Sequence, residues 1–251
     1  MTLSDDQLER YARHIVLKEI GGAGQVKLAN AHVLLIGVGG IGCPAIQYLA
    51  AAGVGKLTVI DDDQVSLSNL QRQILYGNQD IGRDKVELAE IAAHRINPDI
   101  GFVALKQRLT TQQGAAFLVG VDVVLDGSDN FMTRLIVNDL CHATRVPLVS
   151  AAIGQFHGQI GTYCGWEADK PCYRCFVGDA HDPDDCDSCS EVGVLGAMVG
   201  LLGSFAAMEV IRVITGFGDD PAGKLHIFDG LAPSMRTIRL PKDPGCSTCR
   251  P

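Results

Sequence analysis

The sequence predicts a doubly wound α/β fold, a mainly parallel sheet with helices on both faces. Three observations predict it. An apolar run, residues 32–36, opens straight into Gly37-Val-Gly39-Gly40-Ile-Gly42. A second run, Lys56-Leu-Thr-Val-Ile, ends in Asp61-Asp62-Asp63. Apolar runs and helical patterns then alternate as far as residue 153, the spacing of strands joined by crossover helices.

Taken in order, residues 8–20 show helical spacing of Leu8, Tyr11, Ile15, Val16 and Ile20, with Arg10, Arg13, His14 and Lys18 on the other faces. Gly21-Gly22-Ala-Gly24 is expected to break that helix. Residues 32–36 read as the first buried strand. The glycines after it fit G-x-G-x-x-G, a turn that lets backbone approach a phosphate and aims the N–H groups of a helix start at it. The following helix ends near Gly53, and the second strand delivers Asp61, an acid placed to accept from ribose hydroxyls. This is a Rossmann-like nucleotide-binding pattern. NAD is its usual ligand, but the pattern alone leaves the nucleotide open.

Residues 65–75 are too rich in amides to be an ordinary connector. An amphipathic helix is expected from about residue 85 to Asn97, stopped by Pro98. Residues 102–108 read as a strand and 110–119 as a helix. Residues 121–126 form a buried strand running into Gly127-Ser128-Asp129-Asn130. Ligands of open parallel sheets sit beyond the carboxyl ends of strands, so Asp61 and Asp129 should face one crevice. A helix over 133–144 and a strand over 147–153 complete the alternation. Beyond them the pattern changes to a short strand at 158–163, an acidic, cysteine-rich excursion at 169–191, and a core helix at 192–214. Two more strands, 224–228 and 236–240, extend the sheet at its C-terminal end in antiparallel fashion. The whole is expected to be one domain, 1–251: an N-terminal helical segment (1–30), a nucleotide-binding core (31–153) and a C-terminal part (154–251).

Composition excludes several classes. A net charge of −8 argues against nucleic acid as the main partner. The longest apolar run contains five glycines or serines together with Glu209 and Arg212, which suits a core helix better than a membrane span. The N-terminus, with Asp5, Asp6 and Glu9, lacks a secretory pattern. Nine cysteines without such a signal point to metal or thiol chemistry in the cytoplasm rather than to disulfides.

Cys172/Cys175, Cys186/Cys189 and Cys246/Cys249 share the C-x-x-C spacing, and a structural zinc needs two such pairs. Four thiolates leave a zinc site with net negative charge. Arg174 lies inside the first pair, and Lys242 and Arg250 flank the third, whereas the middle pair sits among Asp182, Asp184, Asp185, Asp187 and Glu191. Charge therefore assigns Zn2+ to Cys172, Cys175, Cys246 and Cys249. Cys186 and Cys189 are left for thiol chemistry. The acidic neighbours would raise their pKa values, while the helix start beyond Cys189 works the other way.

Several stretches together carry a family resemblance: Arg10-Tyr-Ala-Arg13-His-Ile-Val-Leu, the Gly37–Gly42 loop, Asp61-Asp-Asp-Gln-Val-Ser-Leu-Ser-Asn69-Leu-Gln-Arg72-Gln, Pro171-Cys-Tyr-Arg-Cys175 and Pro244-Gly-Cys-Ser-Thr-Cys249. They resemble the ThiF/MoeB/HesA branch of the ubiquitin-activating-enzyme superfamily, adenylyltransferases that activate sulfur-carrier proteins. The match covers residues 8–249. The resemblance implies ATP rather than NAD, a homodimer, and a substrate that is the C-terminal Gly-Gly of a ubiquitin-like sulfur carrier bound by residues 154–251. It implies ribose binding by Asp61 and phosphate binding by Gly37, Gly39, Gly40 and Gly42. Triphosphate contacts fall to Asn69, Arg72 and Lys85, and Mg2+ to Asp129 beside Asn130. Arg13 matches an arginine that reaches the phosphates from the other subunit. Cys189 matches a cysteine that forms an acyl disulfide with the carrier in thiamine-pathway members. Gly127-Ser128 stands where relatives carry Cys-Thr, a change expected to alter packing but to keep Asp129. No rhodanese-like extension follows Pro251, so the sulfur donor is expected to be a separate protein. Molybdopterin synthesis is favoured over thiamine synthesis. An NAD-dependent oxidoreductase would lack a second substrate domain and leave Arg72 and Lys85 idle. Asp61, Arg72, Lys85 and Asp129 together argue against a silent partner subunit.

Overall fold

A computed structural model describes residues 3–179 and 193–250. Eight strands form one sheet in the order β3-β2-β1-β4-β5-β6-β7-β8. They are β1 (His32–Ile36), β2 (Lys56–Ile60), β3 (Gly101–Leu105), β4 (Val123–Asp126), β5 (Leu148–Gly154), β6 (His157–Tyr163), β7 (Lys224–Asp229) and β8 (Ser234–Arg239). The first five pair in parallel; β5–β6, β6–β7 and β7–β8 pair antiparallel. The parallel sheet with its antiparallel C-terminal extension is the expected architecture.

β1 shows why the parallel part is buried on both sides. Val33 and Leu35 enter one core, while Leu34 and Ile36 enter the other. The first core is closed by α4 (Gly42–Ala52), α5 (Lys85–Ile96) and α9 (Gly196–Thr215). The second is closed mainly by α6 (Thr111–Phe117) and α7 (Phe131–Thr144), with Tyr173 of α8 (Tyr173–Val177) at its edge. A strand covered by helices on both faces is apolar along its buried length, and β1 is from Val33 to Ile36, all four buried. α9 is long and apolar enough by composition to cross a membrane, yet it packs against α3 (Gly21–Asn30), α4, β4, β5 and β6.

The N-terminal segment departs from expectation. In place of one helix over 8–20 there are two short ones, α1 (Asp5–Arg10) and α2 (Ala12–Ile15), and the glycines open α3 rather than ending a helix. Ser4 and Gln7 cap α1 reciprocally, which starts it early. Tyr11 then breaks helical geometry and turns inward, where its hydroxyl accepts from Asn97 Nδ2 at 2.7 Å. Leu8 and Val16, expected on the inner face, are 45% and 73% exposed. α3 is anchored by Gln25, fully buried, whose Nε2 donates to Ala52 O at 2.8 Å.

Candidate active site

β1 runs to β2 and β3 on one side of the sheet, and the chain then returns to place β4 on the other. The crevice between diverging loops at such a switch point is where doubly wound folds bind ligands. Here Ile36 pairs with Asp126, so Gly37 and Gly127 emerge side by side. Gly37 has φ +87°, a left-handed conformation that favours glycine. At Gly42 a Cβ would lie 2.1 Å from Gly37 O, so the turn closes onto the helix only without a side chain.

A cavity of about 370 Å³ opens above these glycines. Gly37, Gly39, Gly40, Asp61, Arg72, Lys85, Asp129 and Asn130 all line it. The two acids at the ends of β2 and β4 thus face one crevice. Asp61 is clamped by backbone: Oδ2 accepts from Val38 N at 2.6 Å and Oδ1 from Asp63 N at 2.8 Å. Burial pushes its carboxyl above the usual range, and the charge of nearby Lys85 opposes that rise. Lys85 opens α5 with its side chain 5% exposed, and its Nζ lies 2.8 Å from Asp63 Oδ2. Arg72 Nη1 donates to Ser68 O at 2.9 Å, which holds the guanidinium against its own loop. Asn130 caps α7, with its Oδ1 accepting from Thr133 N at 2.9 Å, while Asp129 just before it is exposed to the cavity.

Three residues of the predicted set lie elsewhere. Gly42 is buried beneath the loop. Asn69 is not among the lining residues, and its Oδ1 accepts from Ser66 N at 3.1 Å, closing a short turn. Arg13 is exposed on α2, away from the lining. Cys189, with Cys186, lies outside the described residues.

Other lining residues were missed from the sequence. Arg108 brings a cation to Asp62, with Nε 3.4 Å from Oδ2. Below Asp129, the fully buried Asp126 accepts from Ser128 N at 3.0 Å and Ser128 Oγ at 2.7 Å. Arg134, 8% exposed, donates to Ser128 O and to Ser150 Oγ. Ser128, noted as a departure, thus ties the acid-bearing loop to the strand end. A carboxylate at the end of an apolar strand and an arginine one helical turn beyond the cap were the available signals.

The second cluster is a cysteine centre. Cys172, Cys175, Cys246 and Cys249 converge, with all four sulfurs within 4.8 Å of one another. Cys172 and Cys246 are 3.6 Å apart, Cys175 and Cys249 3.3 Å. A tetrahedral zinc with bonds of ~2.3 Å separates its sulfurs by ~3.8 Å, so shifts of a few tenths of an ångström in the two close pairs would seat the ion. Two of the three charges invoked to choose these pairs are engaged elsewhere, however. Arg174 is bound to Asp139 and Asp179, and Lys242 Nζ donates to Gly165 O and Glu167 O at 2.8 Å. A backbone N–H approaches sulfur instead, from Asp243 to Cys175 Sγ at 3.4 Å.

A glycine turn between a buried strand and a helix, an acid after the second strand and cations across the crevice define a doubly wound nucleotide-binding protein. The ThiF family model matches residues 11–248, and the chain belongs to that family. It is 41% identical over 99% of its length to the SAMP-activating enzyme E1 of Haloferax volcanii, covering 92% of that protein. It is 41% identical to the molybdopterin-synthase adenylyltransferase of Escherichia coli K12, covering 98% of each chain. It is 42% identical to the sulfur carrier protein ThiS adenylyltransferase of the same organism, covering 98% of this chain and 97% of that one. The crystal structure of E. coli MccB with ATP shares the fold at a TM-score of 0.82, with 23% identity over 96% of this chain and 74% of that one.

Proposed function

We propose that this chain is an ATP-dependent adenylyltransferase acting on the C-terminal Gly-Gly of a ubiquitin-like sulfur carrier. The observation that carries the reading is the convergence of Asp61, Arg72, Lys85 and Asp129 on one cavity beside the glycine loop. It is supported by full-length similarity to enzymes named for this activity. An oxygen of the carrier's terminal carboxylate attacks the α-phosphorus of ATP; the bond from that phosphorus to the bridging oxygen breaks, and pyrophosphate leaves. Asp61 accepts from the ribose hydroxyls, and the glycine loop lets the phosphates approach backbone. Arg72 and Lys85 neutralise the charge that develops on the phosphates, the contribution expected to dominate in such a site. Lys85 must exchange Asp63 for phosphate as ATP enters. Asp129, exposed at the cavity and flanked by the cap Asn130, would hold Mg2+, which when bound offsets triphosphate charge.

The four-cysteine centre would hold a structural Zn2+, tying α8 to the C-terminal tail. We assign the working unit to a homodimer in which Arg13 of one subunit serves the other's phosphates, and the sulfur donor to a separate protein. None of the seven cysteines among the described residues is in a disulfide, which suits a cytoplasmic setting. Molybdopterin synthesis is the favoured pathway.

The test is direct. Each purified carrier, of molybdopterin or thiamine type, is incubated with this protein and Mg-ATP, and its mass is measured. One carrier should gain an adenylate, and its variant lacking the terminal glycine should not. Adenylation of neither, or of the truncated carrier equally, would refute the reading.

A further inference from the structure

Three consecutive N–H groups leave the glycine loop, and they are not equivalent. Gly37 N donates to Ile60 O at 2.9 Å and Val38 N to Asp61 Oδ2 at 2.6 Å, so both are committed to the fold. Gly39 N has no hydrogen-bond partner among the described residues, although Gly39 lines the cavity. Where that N–H points is set by the carbonyl across the same peptide plane. A trans peptide is planar, with C=O and N–H on opposite sides. The carbonyl is that of Val38, a fully buried residue, and it faces the core. There Tyr76, 7% exposed, donates its hydroxyl to Val38 O at 2.9 Å, and Cys43 Sγ approaches the same oxygen at 3.4 Å.

We propose that Tyr76 is a positioning residue: its hydroxyl locks the Val38–Gly39 peptide so that the Gly39 N–H faces the cavity and donates to a nucleotide phosphate. The inference rests on the nucleotide reading above and assigns the phosphate-facing amide and the side chain that aims it. The alternative orientation, with the peptide flipped, would put the N–H into the core and break the hydroxyl's bond to Val38 O, both costly. Burial pushes the Tyr76 phenol well above its ordinary range, so it stays protonated and able to donate wherever the protein is folded. Cys43, a weak donor at longer range, cannot replace it. Tyr76 follows the amide-rich stretch 65–75 and works from behind the glycine loop, 38 residues from the peptide it holds.

Tyr76→Phe removes the hydroxyl and keeps the ring. Its affinity for ATP should fall about three- to tenfold, the worth of one hydrogen bond, while its affinity for adenosine stays at the wild-type level. In the carrier reaction the KM for ATP should rise and the KM for the carrier should not. Unchanged ATP affinity would overturn the proposal. So would an equal loss for ATP and adenosine, which would make Tyr76 a packing residue only. If the variant does not fold, the wild-type Gly39 amide resonance decides the matter. It should shift on titration with ATP and stay put with adenosine, and an amide that ignores ATP overturns the proposal. Wild-type protein that binds no ATP at all would instead refute the nucleotide reading, a failure visible before any variant is compared.

Discussion

Arg13 is the residue whose proposed role depends most on something outside its own chain. It stands exposed on α2, outside the set of cavity-lining residues, close in sequence to Leu8, Val16 and Leu17, each at least 45% exposed. An arginine among exposed apolar side chains is what a subunit interface offers, and a two-fold dimer would present it twice. If Arg13 serves the partner's site, mixing inactive Arg13→Ala with inactive Asp129→Ala protein should restore activity, up to about half of the sites in each heterodimer. Verified subunit exchange without recovery would return Arg13 to an ordinary surface role. At this scale the sequence was legible where partners are close in the chain. The glycine turn and Asp61 share one βαβ unit, so spacing exposed them. Tyr76 and Val38, Arg134 and Ser150, or Arg108 and Asp62 meet only through the fold, and no local pattern announces them.

At the level of elements, strands were easier to read than the N-terminal helices. The inner strands of the parallel sheet are short, largely apolar runs between turn residues, because they are buried on both faces; the edge strand β3 is apolar but only partly covered. The segment before β1 carries apolar residues at helical spacing, but two of them face solvent, and a buried tyrosine breaks the helix that the spacing implies. The cysteine centre depends on two elements far apart in sequence, α8 with the strand-free tail. The choice of pairs was made from charge, although geometry brings those four sulfurs together with Arg174 and Lys242 engaged by other groups. Cys172→Ser or Cys246→Ser should each lose the one zinc expected per chain and lower the unfolding temperature, because binding to the site is coupled to folding. Cys186→Ser and Cys189→Ser should keep the metal, as measured by elemental analysis of the purified proteins. Zinc lost with the middle pair and kept without the outer ones would overturn the assignment.

Over the whole molecule, one topological event organises the chemistry. The return of the chain from β3 to β4 brings the end of β4 beside the glycine turn, and with it Asp129 opposite Asp61, Arg72 and Lys85. The antiparallel strands then extend the same sheet away from the cavity. Such an arrangement makes binding, orientation and charge neutralisation the protein's contributions, with no covalent step required of these side chains. If this crevice carries out adenylation, Asp129 should be the residue that holds magnesium. Carrier-dependent exchange between ATP and labelled pyrophosphate tests it most directly, measured on wild-type and Asp129→Ala protein of matched circular dichroism. The wild type with its carrier should exchange, and the variant should not. Exchange by Asp129→Ala within about tenfold of wild type, about 1.4 kcal/mol in barrier, would contradict it.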